Sequence, residues 1–161
     1  MKHEGSCSCG NVKIDLDTDP FLNYNCHCSH CRTFGRSVIH HGAAMWRWNV
    51  KVNGAVKYEK TTSLFGLFGM SRGRCESCED PIVEWCERLM YPFAMVMGKP
   101  LKLPPASVNI FYNSGLQQGT NDLLTIRSDL GSMLYEFVMI VLVAIPNLPR
   151  SICARFTNRQ Q

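Results

Sequence analysis

Three short cysteine clusters constrain this chain more than any other feature: Cys7-Ser8-Cys9-Gly10, Cys26-His27-Cys28-Ser29-His30-Cys31 and Cys75-Glu76-Ser77-Cys78. Together they hold seven of the nine cysteines. An odd count, tight clustering and an N-terminus with no apolar leader (Met1-Lys2-His3-Glu4-Gly5-Ser6) favour an intracellular metal binder over a secreted disulfide scaffold. The expected location is cytoplasmic.

Zinc takes about four ligands in a tetrahedron, roughly 2.3 Å from each sulfur, so its ligands must converge. On a strand, residues two apart share a face, which lets Cys7 and Cys9 grip one ion. The bend of a C-x-x-C turn does the same for Cys75 and Cys78. These two pairs sum to a closed, structural Cys₄ site whose metal binding is folding energy. Cys26, Cys28 and Cys31 remain, close enough in sequence to share a second ion. That leaves one coordination position for water, substrate or another ligand, the pattern of a catalytic zinc. The expected cofactor content is two Zn²⁺ per chain.

Other readings stay open at this stage. Cys75 and Cys78 also fit a thiol–disulfide pair, although no βαβ pattern surrounds them. The three-cysteine site is alternatively structural, completed by His27, His30 or a remote residue. The simplest expectation for both histidines is that they sit between ligands and face outward. Cys86 and Cys153 read as ordinary buried or surface thiols.

The rest of the sequence reads as mostly β. Val12-Lys13-Ile14-Asp15-Leu16 alternates apolar and polar, as a half-buried strand does, and Asp17 to Pro20 reads as a turn. Asn53-Gly54, between Val50-Lys51-Val52 and Ala55-Val56-Lys57-Tyr58, predicts a hairpin with a type I′ turn. Pro81 to Trp85 and Val108 to Tyr112 read as strands, and Leu123 to Ile126 as a weaker one. Glu87 to Met97 has room for a short helix, against which Pro92 argues. The apolar run Phe137 to Ile145 is far short of the about 20 residues that span a bilayer, so no membrane partner is expected. A buried strand or helix is the expectation there, without an assigned place in the fold.

Apolar residues at 45% and charged residues at 19% are ordinary for a folded domain. The formal charge of +4 counts every cysteine as neutral. Seven bound thiolates outweigh the charge of two Zn²⁺, so most of that excess disappears. No run of Lys and Arg interleaved with aromatics is present, and no nucleic-acid partner is expected.

The clusters, in their order and separation, resemble the glutathione-dependent formaldehyde-activating enzymes, whose domain also occurs in centromere protein V. The resemblance is carried by Gly5 to Val12, Asn25 to Arg32 and Arg74 to Cys78, and extends weakly through Pro104 to Tyr112. It implies a zinc-stapled antiparallel β architecture of two packed curled sheets. It divides the chain into a zinc domain over 1–120 and an atypical C-terminal extension over 121–161. It implies a structural zinc on Cys7, Cys9, Cys75 and Cys78 and a catalytic zinc on Cys26, Cys28 and Cys31. The implied activity is that of a carbon–sulfur lyase joining formaldehyde to a small thiol such as glutathione, giving S-hydroxymethylglutathione. The alternative is a non-catalytic zinc-binding interaction module of the centromere protein V type. Arg32 is placed either to hold an acidic peptide or as a surface charge or sulfur hydrogen-bond donor. Trp46 and Trp48 line a pocket or belong to the core.

Two departures from the family pattern stand out. Glu79 occupies the position after the last C-x-x-C cysteine, where relatives usually carry Gly and a positive φ is easy. Beyond Leu123 the chain runs into an apolar segment and a basic end, Arg150 to Arg159, in place of a short acidic Leu-Pro stretch.

Overall fold

A computed structural model describes residues 3–63, 68–88, 90–97, 101–112, 123–127, 129–139 and 142. Alternating apolar residues make the first local structure. In β2 (Lys13–Leu16), Ile14 and Leu16 are buried while Lys13 is exposed, and the strand lies between β1 (His3–Ser6) and β5 (Val50–Asn53) in an antiparallel three-stranded sheet.

The second sheet has eight strands. These are β3 (Leu22–Cys26), β4 (His40–Trp46), β6 (Val56–Ser63), β7 (Phe68–Cys75), β8 (Pro81–Arg88), β9 (Phe93–Met97), β10 (Val108–Ile110) and β11 (Leu124–Thr125). Their order is β11-β10-β3-β4-β9-β8-β7-β6. All pairings are antiparallel except those of β10 with β3 and with β11, which are parallel.

β4 is buried almost throughout, which hides it from an alternation test. Ala43 and Met45 on one face meet Ile14, Leu16, Val50, Val83 and Val96 in the core between the sheets. Ala44 on the other face packs with Leu22, Tyr24, Cys26, Val108 and Ile110. That second face carries a short helix, α1 (Ser29–Gly35), and receives Ile126 and Tyr135 from the C-terminal part. The mostly β, two-sheet expectation therefore holds.

Several local expectations change. The Asn53-Gly54 hairpin does not form, because β5 and β6 belong to different sheets. A type I′ turn needs positive φ at both central residues, whereas here only Gly54 has it, at 127°. The chain crosses between sheets with Gly54 pressed on the β1–β2 loop. A Cβ there would stand 2.3 Å from the Asn11 carbonyl oxygen, so only glycine fits. No helix forms over Glu87 to Met97. Its described residues make the β8–β9 connection and β9 itself, and Arg88 turns the chain with φ 59°.

Leu123 to Ile126 does contain a strand, β11. It leads to α2 (Asp129–Met139), whose buried Ser132 hydroxyl accepts the Phe111 N–H at 2.8 Å. Contrary to expectation, the described apolar residues of this region are not enclosed. Leu130, Met133, Leu134, Val138 and Leu142 are exposed, because α2 touches the sheet through few side chains. The remainder of the apolar run, Cys153 and the basic end lie outside the described residues.

Candidate metal centres

The seven clustered cysteines gather as four and three. The sulfurs of Cys7, Cys9, Cys75 and Cys78 all lie within 4.8 Å of one another, and so do those of Cys26, Cys28 and Cys31. The eight described cysteines are free thiols.

In the first group the Sγ–Sγ distances are 3.4 Å for Cys7–Cys9, 3.6 Å for Cys7–Cys75 and 3.7 Å for Cys9–Cys75. A tetrahedron with 2.3 Å metal–sulfur bonds has edges of about 3.8 Å, so the donor set fits such an ion closely. The route to this geometry differs from the strand expected for Cys7 and Cys9. They sit in a tight turn after β1, in which Gly10 (φ 77°) donates to the Cys7 carbonyl at 2.9 Å. The Val12 N–H points at the Cys7 sulfur at 3.2 Å. The matching turn after β7 closes with Glu79 N–H to the Cys75 carbonyl at 2.9 Å and Cys75 N–H to the Asp80 carbonyl at 3.0 Å. Glu79 takes the left-handed backbone a glycine would take, with φ 56°. Asp80 joins the turns: its carboxylate accepts the Ser8 N–H at 2.6 Å and the Ser8 hydroxyl.

The second group is built at a strand–helix junction. Cys26 ends β3, Cys28 is the N-cap of α1, and its sulfur accepts the Cys31 N–H at 3.3 Å. Cys26 and Cys28 sulfurs are 3.4 Å apart. Among the described residues no histidine nitrogen or carboxylate oxygen joins this group. His27 is buried, against the outward-facing expectation, because its ring packs edge-on to Tyr112 at 5.0 Å. His30 is exposed as expected.

Proton affinities in both groups diverge in the way that crowded sulfurs require. The Cys26 and Cys31 sulfurs donate to Cys28 and hold it at about 2, and the same contacts push Cys26 and Cys31 up. Burial raises Cys7, but the Val12 N–H and the neighbouring sulfurs outweigh it and bring Cys7 to about 6. At Cys9 the lowering effect of the Asn11 backbone is overcome by Cys7 and by burial, and the thiol rises to about 12. One sulfur takes the charge and its neighbours keep their protons. A bound divalent cation removes that conflict, since coordinated thiols deprotonate outright. Thiolate-only donor sets in tetrahedral spacing suit zinc among the common ions.

Residues that sequence reasoning missed surround the three-cysteine group. His40 lies opposite Cys26 across β3–β4, on the same face of the sheet. It is buried, its Nε2 meets no partner, and burial lowers its pKa to about 4. Glu84 on β8 is fully buried. Its Oε1 takes the Arg72 Nε–H at 2.8 Å, while Oε2 has no partner. Burial raises its pKa and the Arg72 charge opposes the rise. The available signal was a glutamate inside the apolar run Ile82-Val83-Glu84-Trp85. Arg32 is half-buried with its Nε unpartnered. Trp46 is core, stacked on Trp48 at 4.7 Å and on Phe93 at 4.9 Å.

The fold and site define a class: a two-sheet β protein with one four-sulfur and one three-sulfur group, each able to hold a metal ion. Residues 2–109 match the family described as glutathione-dependent formaldehyde-activating enzyme, and the chain belongs to that family. No curated protein matches the chain. Among solved structures it is similar to a Rhodobacter sphaeroides protein at 20% identity and a TM-score of 0.48, over 63% of this chain and 90% of that one. Among the described residues no helix is long and apolar enough to cross a membrane.

Proposed function

We propose that this chain is a zinc-dependent carbon–sulfur lyase of the glutathione-dependent formaldehyde-activating type, acting on a small thiol such as glutathione and a small aldehyde. Cys7, Cys9, Cys75 and Cys78 would hold a structural Zn²⁺, and Cys26, Cys28 and Cys31 a catalytic one. The single observation carrying this reading is the three-sulfur group, which gains no fourth donor from any described histidine, cysteine or carboxylate. Residues 1–120 form the zinc domain in this reading and 121–161 an extension. The chain works where thiols stay reduced, in the cytoplasm, with small molecules and no nucleic acid as partners.

The reaction makes one C–S bond, between the thiol sulfur and the carbonyl carbon. The thiol proton ends on the carbonyl oxygen, and nothing is oxidised or reduced. Zinc bound by three thiolates supplies a Lewis acid that favours the thiolate form of an incoming thiol, the nucleophilic form. The chain's own residues set the stage for it. Cys28 caps α1 and fixes the Cys31 sulfur beside it, while Tyr24, Ala44 and Ile110 wall the group on the sheet side. His40 and Glu84 place polar atoms without partners on that same face.

The test is formaldehyde consumption by zinc-loaded protein, with and without glutathione. A glutathione-dependent rate well above the spontaneous one is expected, and a rate no faster than the spontaneous one sinks the activity.

A further inference from the structure

Between α1 and the β6–β7 hairpin lies a cavity of about 620 Å³, and charged residues dominate its walls. Lys57 and Glu59 come from β6, Arg72 and Arg74 from β7, Thr33 from α1 and Glu76 from the C-x-x-C turn. The register explains the grouping. Lys57 pairs with Arg74 and Glu59 with Arg72, so alternate residues put all four charges on one face.

Two of the cations are fixed. Arg74 donates to the Glu79 carbonyl at 3.1 Å and the Thr33 carbonyl at 3.3 Å, and lies 4.6 Å over the Phe34 ring. Arg72 is held by Glu84. Each guanidinium has five N–H donors, so both retain donors beyond these contacts. Lys57, Glu59 and Glu76 make no salt bridge among the described residues. Held arginines and a spare lysine suit carboxylates. Glu59 and Glu76 oppose a polyanion and suit an ammonium group. The size falls in the range of small-molecule sites, about 300–1,000 Å³.

The cavity also lies at a useful distance from the three-cysteine group. Thr33 is two residues beyond Cys31 on α1, and Arg36, at the far end of the cavity, caps that helix. At 1.5 Å per residue, Cys31 to Arg36 spans about 7.5 Å of helix. An extended tripeptide reaches about 10 Å, so one lying along α1 can hold its ends in the cavity with its thiol at the sulfurs.

We propose that this cavity binds the backbone of an acidic thiol peptide, with Lys57, Arg72 and Arg74 taking carboxylates and Glu59 or Glu76 taking the ammonium group. The proposal rests on the thiol-plus-aldehyde reading of the neighbouring cysteines and names the subsite that selects the thiol.

The probe is S-methylglutathione, which carries the charged backbone but no free thiol. Titrated calorimetrically into zinc-loaded protein it should bind. Lys57→Glu should weaken that binding about tenfold or more, the loss of a charge-assisted hydrogen bond, and Lys57→Gln should weaken it less. Unchanged zinc content and thermal midpoint show that both variants fold. No binding by the parent protein, or equal binding by parent and Lys57→Glu, overturns the subsite. Lys57-dependent binding without glutathione-dependent formaldehyde consumption supports the subsite and removes the proposed reaction. Glutathione-dependent consumption with the same KM in Lys57→Glu keeps the reaction and removes the subsite.

Discussion

Arg36 and Glu79 form an ion pair that ties the end of α1 to the turn carrying Cys75 and Cys78. Both residues have left-handed backbones, with φ 50° and 56°. The helix begins at the three-cysteine group, so this pair connects the two candidate metal centres through seven residues of helix. The glutamate that departs from the family pattern thus keeps the turn's backbone shape and adds a side-chain contact that glycine lacks.

Glu79→Gly should therefore be nearly neutral. It relieves a left-handed backbone worth about 1 kcal/mol. It also loses an ion pair whose partners are 57% and 59% exposed, a class worth about 0–1 kcal/mol. Glu79→Val should instead destabilise by about 2 kcal/mol, because a β-branched side chain resists positive φ. Urea unfolding of the zinc-loaded variants checks this. Equal midpoints for Gly and Val would mean that the turn does not hold this conformation.

The two cysteine groups should answer mutation differently. Cys9→Ser opens a closed four-sulfur site that staples the β1–β2 turn to the β7–β8 turn. Structural zinc contributes about 10–16 kcal/mol, against a total stability of about 5–15 kcal/mol for a domain, so this variant should be unfolded or insoluble. Cys28→Ser should lose one zinc and the activity while keeping the fold, since α1 and β3 remain packed on the sheet. Metal per chain and far-UV circular dichroism report both outcomes. Identical behaviour of the two variants would remove the structural and catalytic division.

The cysteine groups were legible in the sequence because ligand spacing is a local constraint that survives most choices of backbone. Cys7 and Cys9 converge from a turn instead of the expected strand, with the same result. The Asn53-Gly54 error arose because a turn dipeptide reports a bend and not its partners. Nothing local says that Gly54 must clear the Asn11 carbonyl on another sheet. β4 was invisible because it is buried on both faces and lacks alternation. His40 and Glu84 could not be placed beside the sulfurs without the strand register, which is a long-range property. α2 misled for the opposite reason, since its apolar residues promised burial that its sparse contacts with the sheet do not provide.

The Arg72–Glu84 pair offers a third test. Glu84 is fully buried and Arg72 is its only charged hydrogen-bond partner among the described residues. Arg72→Met leaves a carboxyl group without that partner and should destabilise by about 3–5 kcal/mol. Arg72→Met combined with Glu84→Met should recover most of the loss, because no charge is then left in the sheet. Denaturation of the two single variants and the double variant gives the coupling energy. Additive losses would mean that the pair is not an energetic unit.

His40 should make stability depend on pH. Burial lowers its pKa from the model value 6.5 to about 4 in the folded chain. Between these values the unfolded chain binds the proton first, so the stability that His40 supports is present above about pH 6.5 and falls as the pH is lowered towards 4. One pH unit across this window corresponds to about 1.4 kcal/mol. Acid also releases metal from thiolates, which would mask the effect in a single protein. A comparison of zinc-loaded parent and His40→Gln at each pH cancels that common part. The stability gap between them should shift by about 1 kcal/mol in favour of His40→Gln from pH 6.5 to 5.5. A constant gap would mean that the imidazole titrates normally, and with it that the pocket opposite Cys26 is open to water.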